Sequence, residues 1–131
     1  MEEDLAIQTL NKYYLENIIK PYLESEKVID MHTHTNYSDG ELSPIELIRH
    51  AIECKIEAIA ITDHDTLNGI KSLDKKNPII VDSGIQIIDG IELTAQPPKG
   101  TMHILGLDID INNKELNYAM TTLKNSSTNR T

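Results

Sequence analysis

The chain has no tryptophan and no phenylalanine, so the core of its 131 residues must be packed mainly by Ile, Leu and Val. These branched aliphatics suit strands buried in a parallel sheet. It has one cysteine, Cys54, which excludes an intramolecular disulfide and a multi-cysteine zinc site. Cys54 lies in "HAIECKIEAIAI", where a helix runs towards a strand, and is expected to be a buried structural thiol. No apolar run approaches the about 18 residues of a membrane span. The acidic start "MEEDLAIQTL" lacks the basic-then-apolar order of a secretion signal, so a cytoplasmic chain is expected. Positive charge is also scarce: 12 Lys and Arg against 21 Asp and Glu leave a net charge of −9. That balance argues against an extended nucleic-acid surface, which needs clustered cations to neutralise phosphates. A phosphorylated substrate stays open, because a divalent metal can be the dominant local charge.

With 39% hydrophobic and 25% charged residues, the chain falls in the range of one ordinary globular domain. Residues 2 to about 24 carry Leu5, Ile7, Leu10, Tyr14 and Ile18 at mostly helical spacing, with Glu2, Glu3 and Asp4 at the positive end of the dipole and Pro21 as a bend or stop. This segment (1–27) reads as an amphipathic extension that caps the domain, with partner binding as the alternative. From residue 28 to 124 short apolar runs alternate with helical stretches. "VIDMHTH" reads as a strand, "SPIELIRHAIECK" as a helix and "IEAIAITDHD" as a strand. Ser43, Pro44 and Glu46 specify the start of that helix. "DTLNGIKSLDKK" reads as a short helix, while "NPIIVDSG" suits a helix between Asn77 and Gly84 or a strand. "IQIIDGIEL" and "TMHILGLDI" read as strands, and "NNKELNYAMTTLK" as a helix capped by Asn112 or Asn113. The polar segment 125–131 is expected to be disordered. The alternation predicts an α/β architecture with a mostly parallel sheet, whose chemistry sits at the C-terminal strand ends.

Polar residues interrupt these aliphatic strands at four places. His32 and His34 in "DMHTH" are two apart, so a strand directs both imidazoles to one side, with Asp30 on the same face. Asp63, His64 and Asp65 stop the second strand abruptly; three ionisable side chains in a row belong at an open strand end, because burying them unpaired is costly. Asp65 or Thr66 also suits the cap of the next helix. Glu92 alternates with Ile91 and Leu93, and His103 lies in "TMHILG". Singly, Glu92 is an ordinary strand charge and His103 an ordinary strand histidine. Together, four of the five histidines fall on or just after strands of one sheet, which favours a shared metal. His50, beside Arg49 on a helix, is expected at the surface.

In this order, "DMHTHTNYSDG", "AITDHDT", "GIE" and "MHILG" resemble successive motifs of the PHP family of polymerase and histidinol phosphatase phosphoesterases, from residue 28 to about 110. S-D-G with T-D-H-D-T is most similar to the subgroup of ribonuclease AM and the nucleoside 3′,5′-bisphosphate phosphatases. The resemblance implies a distorted (β/α)7 TIM-like barrel holding up to three divalent ions, Mn, Fe or Zn. It assigns His32 and His34 to one ion and Asp39 and His64 to another. Glu92 bridges the first and second ions, with His103 on the second. Asp30, Asp63 and Asp65 then orient ligands. The implied activity is hydrolysis of a phosphorylated small molecule or short oligonucleotide by a metal-bound hydroxide.

Family members continue with a further histidine and a late Asp-x-His pair, whereas no histidine follows His103 and "DID" at 108–110 comes too early. The barrel is also short of strand-helix units, so only a partial barrel is expected. A fragment of a longer enzyme is the first expectation. A barrel completed by self-association, a degenerate non-catalytic interaction module, and a PHP domain attached to a DNA polymerase are the alternatives.

Overall fold

The computed structural model describes residues 2–21 and 27–128. An N-terminal helix α1 (Glu2–Tyr14) continues through a π-helical turn (Leu15–Ile19). After it come β1 (Val28–Thr33), α2 (Pro44–Glu53), β2 (Ile56–Ile61), α3 (Asn68–Ser72), α4 (Pro78–Ser83), β3 (Gln86–Ala95), β4 (Met102–Leu107) and α5 (Lys114–Thr128).

The sheet has the order β1-β2-β3-β4, and it curls as half of a barrel. β1, β2 and β3 are parallel, while β4 returns antiparallel to β3 after the "PPKG" turn. The three parallel strands therefore end at one edge, where β-to-helix loops emerge. Local sequence explains the helix starts. The Ser43 side chain accepts the Glu46 N–H with Pro44 in the first turn of α2. Asn77 caps α4 through the Ile79 N–H, and Gly84 closes that helix at a left-handed φ of 73°. Asn113 Oδ1 accepts the Leu116 N–H at the start of α5. "NPIIVDSG" is thus the helix, and "NNKEL" uses the second of its two asparagines.

The core is aliphatic. Ile48 and Ala51 of α2 pack with Ile59 and Ile61 of β2, Ile70 of α3, Ile80 of α4, Ile91 of β3 and Met120 of α5. β2 is the most enclosed strand, with the run from Ala58 to Ile61 buried, so both of its faces are covered.

Three expectations need correction. Cys54 is exposed: it caps the C-terminus of α2, and Lys55 at a φ of 60° turns the chain there, so the thiol stays at the outer end of the helix. The α1 helix does not cap the core, since Leu5, Ile7, Leu10 and Ile18 are all exposed. At about 100° per residue, Leu5 points away from the Ile7–Leu10–Ile18 stripe, so the apolar face is divided. The expected continuation to residue 24 lies outside the described residues. Finally, α5 runs to Thr128, so the backbone of 125–128 is helical, and 129–131 lie outside the described residues. No helix among the described residues is long and apolar enough to cross a membrane.

Ile59 is 1% exposed at the centre of the core. Ile59→Ala is expected to lower unfolding stability by about 2–5 kcal/mol through lost burial and a residual cavity, measured by urea denaturation.

Candidate metal centre

Strand ends converge on Glu92. It lies inside β3, only 5% exposed, and its main chain is locked to the end of β2: Glu92 N–H donates to Asp63 O at 3.0 Å, and Asp65 N–H donates to Glu92 O at 3.0 Å. Asp65 adopts a left-handed φ of 51°, and its Oδ1 accepts the Thr94 N–H at 2.8 Å. Asp65 therefore clamps β3, while Thr66 Oγ1 accepts the Asn68 N–H ahead of α3. These bonds fix His64 opposite Glu92.

Four imidazoles surround this carboxylate. His32 Nε2 lies 3.0 Å and His34 Nε2 3.1 Å from Glu92 Oε2, and the two nitrogens are 3.2 Å apart. His64 Nδ1 is 3.5 Å from Oε2, and His103 Nδ1 is 3.4 Å from Oε1. Asp39, on the loop after β1, places Oδ2 3.2 Å from His64 Nε2 and Oδ1 3.6 Å from His34 Nδ1. His34 and His64 stack in parallel with centroids 4.4 Å apart. β1 carries an irregularity between Asp30 and Thr33 and ends before His34, so the face-sharing of the two histidines comes from a bulged strand end rather than a regular strand.

Burial raises the pKa of Glu92, but the hydrogen bond to His32 and the charges of His64, His32 and His34 outweigh it, so the net shift is downward. Glu92 is thus an anion at neutral pH.

The geometry fits divalent ions. Donors about 2.0–2.1 Å from a tetrahedral ion lie about 3.3–3.4 Å from one another, close to the separations among His32, His34 and Glu92. His34 Nδ1 is buried without a hydrogen-bond partner among the described residues, and with Nε2 turned to Glu92 it is the N–H side of the ring, 3.6 Å from Asp39 Oδ1. Three overlapping groups have donor atoms within 4.8 Å: His32–His34–Glu92, His34–Asp39–His64 and His64–Glu92–His103. A neutral imidazole has one lone pair for a metal, so His34 and His64 each serve one position. His34 faces Glu92 most closely through Nε2, and His64 is nearer to Asp39 than to Glu92. The resulting partition is His32, His34 and Glu92 at one position, Asp39 and His64 at another, and Glu92 with His103 at a third.

All six residues expected as ligands, His32, His34, Asp39, His64, Glu92 and His103, are therefore brought together. His50 is exposed, and its Nε2 lies 3.8 Å from Cys54 Sγ instead. Asp30 is exposed and accepts the main-chain N–H of His32 at 3.2 Å, so it fixes backbone rather than a ring. Asp63 departs from the open-end expectation: it is 1% exposed, turned into the protein and accepts three hydrogen bonds from Thr35 and Ser38. Its partners Thr35 and Ser38 escape a search for ligands, and the usable signal was Ser38 beside Asp39 in "SDG".

A carboxylate-centred cluster of imidazoles on the C-terminal edge of a mostly parallel half-barrel defines an α/β barrel with a candidate metal centre. The family model described as PHP domain matches residues 30–129, and the chain belongs to that family. It is 38% identical over 86 residues to the 5′-3′ exoribonuclease Rnm of Salmonella typhimurium, covering 64% of this chain and 28% of that protein. It is 37% identical over 82 residues to the 3′,5′-nucleoside bisphosphate phosphatase of Chromobacterium violaceum, covering 63% of this chain and 28% of that protein. Among solved structures, an amidohydrolase from Chromobacterium violaceum with bound sulfate and no metal superposes with a TM-score of 0.68 at 30% identity, over 78% of this chain and 35% of that one. The chain thus spans about a third or less of the length of these proteins.

A His32→Ala/His34→Ala variant is expected to lose the ion held with Glu92, read by elemental analysis of metal per chain. In the wild type, metal affinity should fall as pH is lowered, because protons compete with the ion for its ligands, and Glu92, with its lowered pKa, should keep its charge to below the ordinary carboxylate range. Calorimetric metal titration at a series of pH values, with Glu92→Gln alongside, tests this.

Proposed function

We propose that the chain is the metal-binding portion of a phosphoesterase that hydrolyses phosphate esters of nucleotides or short oligonucleotides. The observation that carries this reading is the convergence of four histidines and two carboxylates from separate segments around Glu92. The names of the relatives, an exoribonuclease and a nucleoside bisphosphate phosphatase, support the substrate class. Residues 28–124 form the N-terminal portion of the α/β domain and 1–27 an extension, with α5 carrying that portion on to Thr128.

His32, His34 and Glu92 hold one divalent ion, Asp39 and His64 a second, and His103 with Glu92 a third, drawn from Mn, Fe or Zn. When bound, such ions supply Lewis acidity for phosphoryl oxygens and activate water. The protein's part is positional. Glu92 turns Oε2 to His32 and Oε1 to His103, so each of its oxygens would be available to a different ion. His32 and His103, each about half exposed, line the solvent side from which an ester can enter. In the net reaction the oxygen of water bonds to phosphorus as the ester P–O bond breaks, and the alcohol leaves with a proton.

A non-catalytic module of the same family is the second reading, favoured by the shortage of donors at two of the three positions. The full-length protein that carries this portion, loaded with Mn²⁺, Fe²⁺ or Zn²⁺, is expected to release phosphate or mononucleotide from a nucleoside 3′,5′-bisphosphate or a 5′-phosphorylated oligoribonucleotide. Glu92→Gln should reduce that release by at least about 100-fold. Normal metal content with no release from either substrate decides for the non-catalytic reading.

A further inference from the structure

Asp39 differs from the other donors of the cluster. It stands on a loop, its side chain is 64% exposed, and no strand supports it. An exposed carboxylate on a loop has many rotamers and loop conformations open to it, so something else must fix its approach to His64. The hydrogen bonds show what does. Asp63 Oδ1 accepts the Thr35 N–H at 2.6 Å and the Ser38 hydroxyl at 2.9 Å, and Oδ2 accepts the Thr35 hydroxyl at 2.7 Å. The loop closes on itself through Ser38 N–H and Gly40 N–H, which both donate to Thr35 O.

Two consecutive pairs of residues are thereby linked twice. Ser38 bonds Asp63, and the next residue on each side, Asp39 and His64, meet at 3.2 Å. The packing admits this and little else. A Cβ on Gly69 of α3 would meet Asp63 Oδ2 at 2.2 Å, and a Cβ on Gly40 would meet His34 O at 2.3 Å. Both distances are shorter than real Cβ contacts, so these two glycines let helix and loop close around the carboxylate.

We infer that Ser38, through its hydrogen bond to Asp63, is a positioning residue for the Asp39–His64 metal position and not for the His32–His34–Glu92 position. This rests on the metal-centre reading above. Asp63 is buried and engaged by protein donors, so its part is to hold the loop while Asp39 and His64 hold the ion. Because the Thr35 bonds to Asp63 survive when Ser38 loses its hydroxyl, Ser38→Ala cuts the link beside Asp39 and leaves the anchor beside His34 in place.

The test is a Mn²⁺ titration of wild type, Ser38→Ala, Ser38→Thr and Asp63→Asn, with ions per chain counted and amide hydrogen exchange followed over residues 35–40. In Ser38→Ala the class of sites that Asp39→Asn abolishes should weaken about tenfold or more. The class that His32→Ala abolishes should stay within about twofold, and the Ser38 and Gly40 amides should exchange faster. Ser38→Thr, which keeps the hydroxyl, should restore the weakened class; Asp63→Asn should weaken it at least as much as Ser38→Ala. Equal weakening of both classes in Ser38→Ala overturns the inference in favour of a purely structural role, as does a Ser38→Ala protein that binds like wild type. A wild type that binds no Mn²⁺, Fe²⁺ or Zn²⁺ overturns the metal-centre reading itself.

Discussion

A carboxylate withdrawn from water in the middle of a sheet must be compensated, and Glu92 is compensated by imidazoles. That requirement organises the structure around it. β3 is paired on both sides, parallel to β2 and antiparallel to β4, so the Glu92 backbone has little freedom. The imidazoles must come to it, and they do so from the end of β1, the loop after β2 and the start of β4. The half-barrel curl supplies the geometry, since a flat sheet would point these side chains along parallel lines rather than towards one point.

Two buried carboxylates lie within this edge, and they are compensated in opposite ways. Asp63 accepts from the N–H and O–H groups of Thr35 and Ser38, donors that hold it inside the protein. Glu92 meets nitrogens that either donate a proton or offer a lone pair, a set that an ion can rearrange. The chemical difference between hydroxyl and imidazole partners separates the group that builds the site from the group that serves it.

Much of this was legible in the sequence because it is local. Ser43 with Glu46, and Asn77 with Gly84, are caps whose partners lie within a few residues, and they appear as expected. The ligand strands were legible because histidines and carboxylates interrupt aliphatic runs. What was hidden is non-local. Whether Asp63 turns outward or inward depends on Thr35, 28 residues away, and no periodicity in either segment reports that pairing. The exposure of Cys54 depends on the turn at Lys55, and that of α1 on what the rest of the molecule offers it.

The sheet order follows the chain order, with each strand beside the one made before it. During synthesis, then, each emerging strand finds its partner already present, and no strand must wait for a distant segment. His32, His34 and Glu92 come from β1, its end and β3, so their grouping is complete before the His103 strand has emerged. An ion that binds folded chain and not unfolded chain shifts the balance towards folding. An ion taken up at His32, His34 and Glu92 would therefore favour the pairing of β1, β2 and β3 before β4 is in place.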